Sequence, residues 1–220
     1  MEERIQSHSV NAWDPWFILV AFLSLFVLLF VTSVFMSVVL EKSNLLLSLE
    51  WFERREILLA NLLLALYCLK QYGPIKLSEF IPRGRDYVVL AIGLLIIFWA
   101  FGLIVGRQGV KADPDWRNLA GYQYVITISA LTLFGPLLEE VFLRRYFYEM
   151  LATLYSPAAA LAVTVCIGAL LHWHPDINWF YIFWHLFLEG VLTLAYMNSR
   201  LSVSILLHIF NNTMVVLLSR

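Results

Sequence analysis

The sequence predicts an all-α, polytopic transmembrane helical bundle of about seven spans. Three observations carry that expectation. Hydrophobic residues make up 61% of the 220 and charged residues 14%, against roughly 45–50% and 25% in soluble domains. Apolar runs of about 20 residues recur, the length a helix needs to cross the hydrocarbon core. No strand alternation or internal repeat stands out, and in lipid a helix satisfies its own backbone without water. Mean hydropathy is +0.77. Net charge is −1, from 15 basic and 16 acidic residues, which leaves no electrostatic footprint for nucleic acid. Cys68 and Cys166 form no CxxC and flank no His, so they read as small buried hydrophobes.

Each element follows from the order of apolar and polar segments. Residues 1–15 are a polar tail. Residues 16–40 run without a charge, too long for a secretory h-region and preceded by no basic start. They read as a retained first span with Trp13 and Trp16 at the interface. A charged connector over 41–56 leads to a short apolar helix at 57–72. Gly73, Pro74, Pro82 and Gly84 punctuate the next loop. A third span covers 87–105, and a polar loop with Asp113-Pro114-Asp115 covers 106–121. The fourth span, 122–138, continues as helix through Glu139, Glu140, Arg144 and Arg145. The fifth, 157–171, ends in His172-Trp173-His174-Pro175. The sixth, 179–196, carries His185 and Glu189, and the seventh, 201–218, carries His208, Asn211 and Asn212. Residues 1–121 are therefore a variable frame and 122–220 the chemical half of one integrated membrane domain. Basic residues lean weakly toward an N-terminus inside.

Charges at membrane depth cost at least ~2.5–3.5 kcal/mol each on insertion scales, so those in the second half need a reason. In Glu139-Glu140-Val-Phe-Leu-Arg144, Glu140 and Arg144 stand at i,i+4, about 40° apart on a helix, and form the natural ion pair. Glu139 lies on another face, about 140° from Arg144, where a carboxylate beside an apolar span suits general-base work. The bland alternative is a helix end reaching the headgroups. His172 and His174 point about 160° apart, so only one can enter the bundle; Pro175 puts His172 at the last turn. Ser204, His208 and Asn212 form an i, i+4, i+8 polar stripe flanked by Asn211. It fits either interhelical hydrogen bonding or donors aimed at an oxyanion. His185 and Glu189, also i,i+4, read as a buried pair. The sequence contains no HExxH, GxSxG, SxxK, GxGxxG or Walker loop. Carboxylate, imidazole and amide are the chemistry on offer.

Glu139-Glu140-x-x-x-Arg144, a His in the next span and His208-x-x-x-Asn212 together resemble the type II CAAX prenyl endopeptidase family, which includes the Ras-converting endopeptidase and bacterial CPBP or Abi membrane proteins. The stretch from Phe187-Leu-Glu-Gly190 through Ser202-x-Ser204 is similar to the family's approach to its last motif. The resemblance covers roughly 122–220. It implies an intramembrane endopeptidase that hydrolyses a peptide bond of a membrane-associated protein or peptide. Glu139 would activate water, His172 would hold it, and His208 with Asn212 would form the oxyanion hole, with Glu140 and Arg144 in support and no metal or cofactor. It also implies a multi-pass protein of a bacterial inner membrane. One position departs from the family's Phe-x-x-x-His motif, where Gly168 stands four residues before His172. Competing readings are a non-catalytic membrane scaffold of the same family, a metal-dependent protease with Glu139, His172 and His208 as ligands, and a transporter.

Overall fold

A computed structural model describes residues 70, 74–108, 121–172 and 179–218. The chain divides into two compact units, 1–72 and 73–220, and the architecture below is that of the second. The expected span at 16–40, nearly all of 57–72, the middle of the 106–121 loop and His174-Pro175 lie outside the described residues. Among the described residues there are only helices and turns.

A single 3₁₀ turn, Leu77–Phe80, precedes α1, Asp86–Gln108. Gly84 sits between them at φ +50°, a left-handed turn that a residue without Cβ adopts freely. Asp86 anchors this entry. Its Oδ2 accepts from the Arg83 amide at 2.9 Å and pairs with Arg200 at 3.0 Å. Arg200 also donates to the Ser78 carbonyl at 2.7 Å, which ties the turn to the far end of the sequence.

The next helix, α2, runs unbroken over 122–154 but changes register twice. Tyr122–Ser129 is α-helical, Ala130–Phe134 π-helical, Gly135–Glu140 α-helical, Val141–Tyr148 π-helical and Glu149–Leu154 α-helical. Pro136 explains the first change. In the wide turn the Gly135 amide bonds the Ala130 carbonyl, and the amide that would serve Leu131 belongs to Pro136, which has no N–H. π turns inside helices often mark functional sites. Tyr155 ends α2 in extended backbone. Ser156 then caps α3, Pro157–Leu170, its hydroxyl accepting from the Ala159 amide at 3.2 Å with Pro157 in the first turn. Helices α4, Trp179–Asn198, and α5, Leu201–Leu218, follow.

Helix α5 is central: it packs on α1, α2 and α4, while α3 packs on α2 and α4. Its apolar contacts join Ile97, Phe101, Trp184, Leu188, Val203 and Leu207 in one core cluster. Phe101 and Trp184 meet edge to face at 5.7 Å. A Cβ on Gly93 would stand 2.6 Å from Leu207 Cδ1, so α1 and α5 touch through the glycine.

The distribution of polarity is inverted relative to a soluble bundle. Leu95, Phe98, Trp99, Phe183 and Leu217 are exposed, whereas Glu140, Arg144, Thr164, Glu189 and Ser204 are fully buried. Helices α4 and α5, and residues 86–103 of α1, are long and apolar enough to cross a membrane. The chain is thus an integral membrane protein, with three such spans and the shorter apolar α3 among the described residues. The fourth expected span, 122–138, lies in the register-shifted α2. Cys166 is exposed on α3, not buried as expected; among the described residues no helix packs on that face.

Candidate active site

The buried polar groups gather where α2, α4 and α5 meet. The first pair follows from helix phase alone. Arg144 Nη1 lies 3.0 Å from Glu140 Oε1, both side chains wholly buried. The pair survives the π register of 141–148 because four residues span close to one turn in either register, slightly more in an α-helix and slightly less in the wider π-helix.

The expected pairing of His185 with Glu189 does not form. Partners elsewhere in the fold take both. Glu189 Oε2 accepts from Arg144 Nη2 at 2.7 Å, and the same nitrogen lies 3.4 Å from the Glu189 carbonyl. Thr193 donates to that carbonyl at 2.8 Å. His185 stacks face to face on His172, ring centroids 4.1 Å apart and planes 19° from parallel, with Tyr181 at 4.4 Å on the same ring. Among the described residues, neither ring nitrogen of the buried His185 has a hydrogen-bond partner.

His208 joins the two carboxylates of α2. Its Nδ1 is 2.8 Å from Glu140 Oε1, and its Nε2 is 3.7 Å from Glu139 Oε2. The first is a hydrogen bond; the second is too long for one. Glu139 and Glu140 also differ in access: the Glu139 side chain keeps 17% of its surface exposed and Glu140 none. His172 sits in the turn after α3, its ring stacked on His185. Glu139, Glu140, Arg144 and His208 are brought to one place, with Glu189 on the far side of Arg144.

Asn212 belongs to the same stripe but has a specific local partner. Its Nδ2 donates at 2.9 Å to the Leu131 carbonyl, the acceptor that Pro136 leaves without an amide. Its Oδ1 accepts from Asn211 Nδ2 at 3.0 Å. Asn212 thus ties α5 to the wide turn just before the two glutamates.

Gly168 has a physical role that the family comparison by residue type does not reveal. A Cβ there would lie 2.5 Å from Glu189 Cδ and collide with its Oε2. The space that an aromatic side chain would fill is held by a carboxylate. Glu189 and His185 are the residues that sequence reasoning left out of the site; the signal was present, since each is ionisable within an apolar span. Among the described residues, no three His, Cys, Asp or Glu side chains are grouped as a metal site requires.

No curated protein matches the chain, and no solved structure matches it. Residues 121–214 match the family described as "Rce1-like: Type II CAAX prenyl endopeptidase Rce1-like". The matched stretch contains α2 to α4 and all of the polar cluster, Glu139 through Asn212. That stretch, under half of the chain, is similar to the type II CAAX prenyl endopeptidase Rce1-like family.

Proposed function

We propose that the chain is an intramembrane endopeptidase that hydrolyses a peptide bond of a membrane-associated protein or peptide through a water activated by Glu139. The observation that carries this reading is the placement of His208 between two unlike carboxylates. Glu140, sealed and paired with Arg144, holds Nδ1 at 2.8 Å; the accessible Glu139 faces Nε2 across 3.7 Å. That gap suits a reacting oxygen held between base and donor better than a direct bond.

In the proposed reaction Glu139 takes a proton from water while the water oxygen attacks the scissile carbonyl carbon. Negative charge then collects on the carbonyl oxygen. His208, protonated and anchored through Nδ1–H to Glu140, presents Nε2–H to that oxygen. Asn212 spends one Nδ2 hydrogen on Leu131 and offers the other. Donors fixed in advance and shielded from water are the strongest contributors to such a step. Collapse breaks the C–N bond as Glu139 returns its proton to the leaving amine. His172, braced by the His185 ring, orients the water. Glu140 and Arg144 support without touching substrate.

The family name points to prenylated C-terminal CAAX peptides as the first substrates to offer. A bacterial inner membrane is the proposed location. The test is cleavage of a quenched fluorescent peptide panel, prenylated and plain, by the purified chain in detergent. The reading expects cleavage of at least one class, lost in His208→Ala. Cleavage that survives His208→Ala at the wild-type rate would contradict it.

A further inference from the structure

We propose that Glu189 is a positioning residue for this reaction, acting through Arg144 and given its place by Gly168. The proposal rests on the endopeptidase reading above. A carboxylate in the middle of an apolar helix is costly in lipid and needs a strong partner. Glu189 finds one on a different helix, and the pairing completes a relay. Glu189 Oε2 holds Arg144 Nη2 at 2.7 Å, and Arg144 Nη1 holds Glu140 Oε1 at 3.0 Å. Glu140 Oε1 meets His208 Nδ1 at 2.8 Å, and His208 Nε2 faces Glu139 at 3.7 Å.

The guanidinium is a rigid planar fork. With one acceptor it can pivot about the Glu140 contact. With a hydrogen bond from Nη2 to Glu189 and an ion pair from Nη1 to Glu140 its plane is fixed, and so is the Glu140 oxygen that it shares with His208. Gly168 is the steric counterpart of this arrangement. Glu189 reaches Arg144 only along a surface of α3 that carries no side chain, since a Cβ at 168 would occupy the carboxylate's own position. The glycine in the Phe-x-x-x-His position and the glutamate in α4 are therefore one device. It exchanges an aromatic wall for a second anchor on Arg144.

The test uses the full chain in detergent and the peptide that the wild type cleaves best. Glu189→Gln keeps size and hydrogen-bonding capacity but removes the charge. It is expected to lower kcat roughly 10- to 100-fold, the scale of a small misplacement near the chemistry, with KM within about twofold. Glu189→Asp, which keeps the charge, is expected to recover part of kcat. Wild-type kcat in Glu189→Gln, or no recovery in Glu189→Asp, overturns the proposal. A thermal cycle covers loss of folding. Gly168→Ala should lower the midpoint in the wild-type background and not in Glu189→Ala. An equal loss in both backgrounds refutes the coupling of the two positions. A wild type that cleaves no peptide sinks the endopeptidase reading, and the positioning role with it, while the thermal cycle still reports whether Gly168 accommodates Glu189.

Discussion

Arg144→Met is the perturbation whose size the structure lets one work out. The guanidinium is completely buried and touches two carboxylates that are also buried, Glu140 at 3.0 Å and Glu189 at 2.7 Å. At an effective dielectric near 20, each contact is worth about 4 kcal/mol gross, and much of that only offsets desolvation. Removing the cation leaves the two anions facing hydrocarbon. Each can escape by taking up a proton, which at pH 7 costs about 3.7 kcal/mol for a carboxyl with the ordinary pKa of about 4.3. Glu140 keeps His208 as a partner, so the main cost is one such protonation, at Glu189, in line with the ~3–5 kcal/mol typical for breaking a buried pair from one side. For a chain of this size the expected drop in the thermal midpoint is roughly 6–20 °C. Proton uptake becomes easier as pH falls, so the folded variant binds more protons than its unfolded chain and the deficit shrinks toward pH 5.5. Differential scanning fluorimetry in detergent at the two pH values reads both effects. A midpoint within about 2 °C of wild type at pH 7 would refute the claim that Arg144 neutralises two buried carboxylates.

Three other outcomes follow from particular contacts. Asn212→Ala strands the Leu131 carbonyl at a cost of about 1–3 kcal/mol, and adding Pro136→Ala should recover part of the lost midpoint by supplying an N–H in the wide turn. His185→Phe should keep the stack on His172 and most of kcat, whereas His185→Ala, losing a ring contact worth about 0.5–1.5 kcal/mol, should lower kcat more than it changes KM. Gly93→Val should cost about 1–3 kcal/mol of stability through overpacking against Leu207, with the specific activity of the folded fraction unchanged.

The helices were legible where the sequence punctuates them. Ser156-Pro157 starts α3, and apolar stretches of spanning length mark α1, α4 and α5. The Glu140–Arg144 pair was legible because i,i+4 spacing decides it within one helix. The failures share a cause. His185 and Glu189 have that same spacing, but Arg144 on α2 and His172 after α3 offer better partners, and partners from other helices have no signature in local phase. The first register shift in α2 depends on Pro136 and on a donor, Asn212, 76 residues away in sequence. Gly168 looked like the loss of an aromatic because its neighbour in space, Glu189, lies beyond a loop and on another helix.

The central claim is that Glu139, and not a bound metal, activates the water. The most direct measurement is steady-state peptide cleavage by wild type, Glu139→Gln and chelator-treated wild type in parallel, with a thermal midpoint for each. The account predicts that Glu139→Gln loses at least ~10²-fold in kcat, the lower end for a general base, while it keeps a midpoint near wild type and the chelator changes nothing. Full activity in Glu139→Gln, or activity lost only with the chelator, would contradict it.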